Sequence, residues 1–194
     1  MTETTQTPVE MDLASPRLHH GGEEVQAFGT LRKMPLGLRD AARAQSCELL
    51  NGVLADTTIL YHLYKKHHWL VAGPTFYQLH LLFDAHAGEQ VELIDLLAER
   101  VQSLGGIAVS DPRHVAELTN ITRPPNGAES APAMLSRLME AHQIVIEGTR
   151  RGIEITEANG DAGSNDLLMG DVLRTNEKQL WFVSAHLVEV APEG

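Results

Sequence analysis

From Leu38 onward, apolar residues recur at three- and four-residue steps, and that period predicts helices. Leu38, Ala41, Ala42, Leu49, Leu50, Val53, Leu54, Thr57, Leu60, Tyr61 and Tyr64 mark one face of a first helix reaching Trp69. Ala72-Gly73-Pro74-Thr75 breaks it, with glycine as a C-terminal cap and proline barring continuation. A second long helix is expected from Thr75 to Leu104, ending at Gly105-Gly106. Ser110-Asp111-Pro112 reads as a cap with proline in the first turn of a short helix to Leu118, and Arg123-Pro124-Pro125-Asn126-Gly127 as loop. A third long helix spans Ala131 to Ala158, Gly160 to Ser164 form a turn, and a fourth runs from Asn165 to Val190.

No strand pattern interrupts these segments, so the expected fold class is all-α. Two tight hairpins joined by one long crossover, with a short extra helix inside the crossover, give the connectivity of a ferritin-like four-helix bundle over residues 38–190. Residues 1–37 hold Pro8, Pro16, Pro35, Gly21, Gly22, Gly29 and Gly37 without a sustained helical period, and are expected to form a flexible N-terminal arm. Residues 191–194 are a C-terminal tail.

Composition narrows the picture. A chain of 194 residues supports one domain with a sizeable core, and 43% hydrophobic with 21% charged residues is ordinary globular content. The single cysteine, Cys47, excludes an internal disulfide and reads as a small buried thiol of a reducing compartment. The polar, acidic start MTETTQTPVEMD is unlike a signal peptide and no apolar run could span a bilayer, so the expected location is cytoplasmic. The formal net charge of -11 favours cations over nucleic acid or anionic lipid.

The chemistry lies in residues 67–100. Placed at 100° per residue from Phe76, the residues Phe76, Phe83, Ala87, Ile94, Ala98 and Val101 cluster as the expected core stripe of the second helix. His80, Asp84, Asp95 and Glu99 fall at about 40°, 80°, 100° and 140°, a neighbouring stripe free of Lys and Arg. His68, on the first helix, is as far before Pro74 as His80 is after it, so the two should face each other. His80 and Asp95 are separated by about 22 Å of helical rise, too far for one metal ion. His68, His80 and Asp84 therefore form one half-site and the i, i+4 pair Asp95 and Glu99 another, to be joined across a two-fold axis near the middle of the helix.

The run His68-Trp69-x-Val71-x-Gly73-Pro74-x-Phe76-x-x-Leu79-His80-x-x-x-Asp84, followed by Asp95-x-x-x-Glu99-Arg100 and Leu104-Gly105-Gly106, resembles the Dps family of ferritin-like proteins. The resemblance extends over residues 38–190 and includes Trp181-Phe182 in the fourth helix. It implies a hollow homo-dodecamer with ferroxidase sites at two-fold interfaces, each taking His68, His80 and Asp84 from one subunit and Asp95 and Glu99 from its partner. It further implies oxidation of Fe(II), preferentially with hydrogen peroxide, and storage of the ferric mineral. Imidazole and carboxylate suit iron as substrate, although the same ligands admit zinc as a competing occupant. No Glu-x-x-His pair exists for an intrachain di-iron site.

Weaker signals surround this set. His67 reads as a helix-surface residue, and His86 as either an extra ligand or a hydrogen-bonding partner. Asp161, Asp166 and Asp171 lie where the family builds an acidic three-fold pore for iron entry, with helix capping as the alternative for Asp166. His19-His20 could meet a metal only weakly from a tail. A different class of function, a non-enzymatic nucleoid protein with incidental metal sites, would require basic arms. Residues 1–30 instead carry Glu3, Glu10, Asp12, Glu23 and Glu24 against Arg17 alone, which argues against direct DNA binding.

Overall fold

A computed structural model describes residues 21–188. Helix α1 (Asp40–Leu70) and α2 (Phe76–Ser103) form one antiparallel hairpin. The crossover contains α3 (Pro112–Leu118), which packs on α1 and leads to α4 (Ala131–Ala158). The fourth limb of the bundle is α5 (Ala162–Leu167), a π-helical segment (Leu168–Leu173) and α6 (Arg174–Ala185), continuous with one another and packed on α4. No strand occurs among the described residues, and none of their helices is long and apolar enough to cross a membrane.

Local chemistry sets the helix starts. Asp111 accepts the amide of Arg113 with Pro112 in the first turn of α3, and Ser130 does the same for Ala133 at the start of α4, so each satisfies an otherwise unpaired amide. The last limb begins at Ala162 rather than Asn165, because Asp161 caps it by accepting the amide of Ser164. Its last helix, α6, ends at Ala185; the expected final residues of the limb, 189 and 190, lie outside the described residues, as do residues 1–20, including His19-His20, and the tail 191–194.

The core is one apolar cluster through all four limbs, with Leu50, Leu54 and Leu60 of α1, Phe83, Leu97 and Val101 of α2, Met134, Leu138 and Val145 of α4, and Leu168, Val172 and Val183 of the last limb. Cys47 belongs to it, and burial raises its thiol above the usual range. On α2 the buried stripe is Leu79, Phe83, His86, Ala87, Gln90, Leu93, Leu97 and Val101. This corrects the expected stripe. Phe76 is exposed in the first turn, and Ile94 and Ala98 are only partly buried. The polar His86 and Gln90 sit in the middle of the true stripe, so counting apolar positions alone displaces its centre by about 50°. His80, Asp84, Asp95 and Glu99 are accordingly turned further from the core than expected.

The second half of the expected arm is pinned to the bundle. Arg32 donates its amide to the Gly105 carbonyl at 2.9 Å and Gln26 reaches the same oxygen at 2.9 Å. The buried Arg43 guanidinium bridges the carbonyls of Leu104, at 2.7 Å, and Arg32, at 3.1 Å. Gly105 is required at this crossing. Its φ is +87°, and a Cβ there would lie 2.8 Å from the Arg32 carbonyl oxygen.

Candidate metal centre

His68 ends α1 and His80 begins the second turn of α2, and the tight hairpin lays their rings in a stack with centroids 3.8 Å apart and 18° between planes. Each Nδ1 meets the other residue's backbone carbonyl, His68 to His80 O at 2.8 Å and His80 to His68 O at 2.9 Å. A carbonyl only accepts, so each Nδ1 carries the proton, and in the neutral ring Nε2 is left as a bare lone pair. That reciprocal pairing fixes both tautomer and orientation in the way a metal-binding imidazole needs. His68 Nε2 lies 3.9 Å from an oxygen of Asp84, one turn beyond His80 on the same face of α2.

Asp84 is half exposed and already paired: Lys65 Nζ donates to its Oδ1 at 2.6 Å. That hydrogen bond, aided by the charge of Lys65, holds its carboxyl below the ordinary carboxylate range. Lys65 is a participant that pattern reading missed. It lies one turn before Trp69 with its ammonium over that ring at 5.8 Å, and nothing in the sequence marks it as facing the second helix.

Asp95 and Glu99 do not join this cluster within the chain. Both are exposed on the outward face of α2, three to five turns further along. Among the described residues no three His, Cys, Asp or Glu side chains are placed to hold a metal ion in a single chain. His68, His80 and Asp84 lie side by side on the hairpin, the two rings stacked and the carboxylate nearest to His68.

Of the flanking residues, His67 and Asp161 depart from expectation, while His86 meets one of its two expected alternatives. His67 is not a surface residue: α1 turns it inward, fully buried near the Phe83 ring, and burial lowers its pKa to about 4. His86 is buried, and its Nδ1 meets the Tyr64 hydroxyl at 3.0 Å, so its ring is a hydrogen-bonding partner inside the bundle. Asp161 is 1% exposed, with one oxygen on the amide of Ser164 and on Arg100 Nη2 at 2.5 Å and the other on the Ser164 hydroxyl at 2.7 Å. Its carboxylate is consumed by capping and an ion pair, so it cannot line a pore. Asp166 and Asp171 remain exposed on the last limb.

An antiparallel four-helix bundle whose two hairpins are joined by one long crossover is the ferritin-like arrangement. A profile of the ferritin-like domain matches residues 47–191. The chain is 36% identical over 79% of its length to a nutrient stress-induced DNA-binding protein of Synechococcus, covering 88% of that protein. It is 32% identical to a DNA protection during starvation protein of Bacillus anthracis, covering 74% of this chain and 97% of that one. Among solved structures, DpsC from Streptomyces coelicolor superposes with a TM-score of 0.86 at 57% identity, covering 88% of this chain and 99% of that one. The chain belongs to the Dps family of ferritin-like proteins.

Proposed function

We propose that this chain is the subunit of an iron-oxidising, iron-storing shell, a homo-dodecamer of about 256 kDa from the 21.3 kDa chain, working in the cytoplasm. Its ferroxidase centre takes His68, His80 and Asp84 from one subunit and Asp95 and Glu99 from the partner across a two-fold axis. The observation that carries this reading is the reciprocal Nδ1-to-carbonyl pairing of His68 and His80, which leaves both Nε2 atoms without a backbone partner, that of His68 3.9 Å from Asp84. Three donors do not satisfy a di-metal site, and the missing anionic ligands lie on the same outward face of α2. Tyr77, Leu81, Val91 and Leu96 are large, apolar and exposed between and around the two half-sites, as suits a face that a second copy covers. Gly88, near the midpoint, has open space where a side chain would stand, which permits two α2 helices to approach closely.

Two Fe(II) ions in one centre deliver two electrons to one hydrogen peroxide, which with two protons yields two Fe(III) and two water molecules without free hydroxyl radical. Imidazole with carboxylate serves the ferrous substrate, and carboxylate tolerates the harder ferric product. Zinc competes for the same ligands. Asp166 and Asp171 are the remaining candidates for an acidic iron-entry pore; Asp161 is withdrawn from that role. The reading is tested by stopped-flow oxidation of Fe(II) by oxygen and by peroxide, alongside size-exclusion chromatography. Peroxide is expected to be the faster oxidant, and a protein that is monomeric and inert to both would overturn it.

The names of two relatives favour a second reading, a DNA-binding protein of the nucleoid. The acidic residues 1–30 and the net charge of -11 per chain oppose it, because phosphate contacts require a basic surface. A gel-shift assay with plasmid DNA at pH 7.5, without divalent cations, is expected to show no retardation. Salt-sensitive retardation would favour the nucleoid reading.

A further inference from the structure

Between the four limbs of the bundle, and one turn of α1 from His68, lies a buried chain of polar side chains that the proposed ferroxidase centre does not use. Its direction is fixed from one end. Asn176 donates its amide to the Val172 carbonyl at 2.8 Å, which turns its Oδ1 toward His142 Nδ1, 2.9 Å away. That oxygen only accepts, so His142 carries its proton on Nδ1 and presents a bare Nε2. Tyr64 OH lies 2.5 Å from that Nε2 and must donate to it, while His86 Nδ1 donates to the phenolic oxygen at 3.0 Å. The hydrogen bonds therefore run one way, from His86 through Tyr64 and His142 to Asn176.

A phenol hydrogen-bonded to a neutral imidazole is the arrangement in which removal of an electron and transfer of a proton occur together. We propose that Tyr64 is a redox-active tyrosine that intercepts one-electron oxidants formed at the neighbouring His68, His80 and Asp84 centre, with His142 holding its proton. The proposal rests on the ferroxidase reading for the source of the oxidant. When a centre holding a single Fe(II) meets peroxide, it yields Fe(III), hydroxide and hydroxyl radical. Tyr64 gives one electron to that radical, which becomes hydroxide, and passes its phenolic proton to His142 Nε2. A neutral tyrosyl radical and an imidazolium remain. A further Fe(II) reduces the tyrosyl radical, the proton returns from His142, and the net result is two Fe(II) oxidised per peroxide.

Geometry favours this step. Tyr64 is four residues from His68, about 6 Å of rise along α1, and packs against Phe83, whose neighbour is Asp84. Tyr64 is fully buried, so its radical is shielded from other chains and from solvent. Burial also raises the phenol well above its usual pKa and lowers His142 to about 3, so both are neutral before oxidation. An oxidised phenol is a far stronger acid than an imidazolium, and even a weakly basic His142 accepts its proton. The rings continue outward from Tyr64 to His86 at 5.3 Å, Phe182 at 6.0 Å and Trp181 at 5.0 Å, centroid to centroid, giving the electron hole a path to an exposed indole.

The chain has three tyrosines, Tyr61, Tyr64 and Tyr77, so the radical can be assigned by elimination. Assembled full-length protein is given Fe(II), then substoichiometric peroxide, frozen within milliseconds and read by electron paramagnetic resonance. A parallel iron-free sample is oxidised with flash-generated ruthenium(III) tris-bipyridine. Both arms are expected to give a tyrosyl signal that narrows when ring-deuterated tyrosine is incorporated and survives in the Tyr61→Phe, Tyr77→Phe double variant. The signal is expected to disappear in Tyr64→Phe and to fall several-fold in yield in His142→Gln. If Tyr64→Phe fails to fold, the deuterated double variant still decides, because Tyr64 is its one remaining tyrosine. A radical from tryptophan alone, or one lost in the double variant, overturns the proposal. A Tyr64 radical in the flash arm from a protein inert to Fe(II) and peroxide overturns the ferroxidase reading while upholding Tyr64 as the electron donor.

Discussion

The outward cluster of His68 and His80 and the inner cluster of His86 and His142 lie within two turns of each other on the α1–α2 hairpin and its packing partner, yet their nitrogens are used differently. In the outward pair each Nδ1 is tied to a backbone carbonyl. Backbone cannot exchange roles with the ring, so Nε2 is left for something the chain itself does not supply. In the inner pair the partners are side chains that donate and accept in turn: His142 is held between Tyr64 and Asn176. Gln90 also donates to Asn176 Oδ1 at 3.3 Å, and to Gln179 Oε1 at 2.9 Å. Gln179 in turn reaches the Glu89 carboxylate at 2.7 Å. The amides and the phenol thus use one another as partners, with only the Gln90 Oε1 left buried and unpaired, and no ring nitrogen of His142 is left free. Equal histidine content therefore says little about metal binding. What each ring nitrogen faces says a great deal.

The largest expected effect breaks the outward cluster from both sides. A His68→Ala, His80→Ala chain and an Asp95→Asn, Glu99→Gln chain should each assemble and each lose peroxide-driven Fe(II) oxidation, because every shared centre lacks half its ligands. Co-assembled in equal amounts, each mixed pair holds one intact and one empty centre, so about a quarter of wild-type activity should return with random pairing. The measurement is the initial rate of Fe(II) oxidation in cages verified as mixed by mass spectrometry. Mixed cages without any recovery would sink the shared-centre reading and leave the outward cluster no more functional than the inner one.

How far the sequence discloses these regions depends on symmetry and on polarity. The facing of His68 and His80 is readable because the hairpin is tight and both sit at equal distances from Pro74. The α2 stripe is readable only in part, since His86 and Gln90 are buried polar residues that no apolar period reveals. The signal that was available is on α4: His142 occurs on an apolar face with Leu135, Leu138, Ala141 and Val145, and a lone His there is a core histidine in need of partners. The π-helical segment Leu168–Leu173 was not legible at all. One wide turn leaves composition and apolar spacing nearly intact while resetting which residues face inward, and here it delivers Asn176 and Gln179 to the core. The start of the last limb was hidden for a related reason. Gly163 lies within the helix because a Cβ there would stand 3.0 Å from the Arg100 guanidinium, so a glycine that reads as turn is instead a clearance for the Arg100–Asp161 pair.

A second prediction sharpens the comparison through pH and expects an effect of several kcal/mol. His86 and His142, and His67 beside them in the core, are held neutral by burial, with pKa values lowered from 6.5 to about 4, about 3 and about 4 respectively. The unfolded chain takes up these protons near pH 6.5, whereas the folded chain resists until pH 4 or below. Their contribution to stability is thus complete above pH 6.5 and declines as pH falls, by about 1.4 kcal/mol per pH unit for each ring. The outward carboxylate of Asp84, held below its ordinary range, is still ionised throughout this window. Urea midpoints measured from pH 7.5 to 4.5 should fall steadily, and a His142→Gln chain should show a shallower slope. A flat profile would mean that the inner histidines gain protons without opening the core.

The smallest expected effect concerns the one cation that the outward cluster already holds. Lys65 donates to Asp84 at 2.6 Å, and a metal ion entering the half-site must compete with that ammonium for the carboxylate oxygen. Asp84 is half exposed and Lys65 partly so, so solvent screens much of their Coulomb attraction, and such pairs contribute modestly. Lys65→Met keeps the aliphatic stem against Trp69 and helix propensity nearly unchanged, while freeing Asp84 and removing a positive charge from the approach. Affinity for a divalent probe such as Co(II), read by titration of its visible absorption in the assembled protein, should rise by about two- to five-fold. The inner cluster should not respond, which can be checked as an unchanged urea midpoint at pH 5. A fall in Co(II) affinity would mean that Lys65 positions Asp84 for the metal rather than competing with it, and the half-site at His68 and His80 would then depend on a cation of the chain's own.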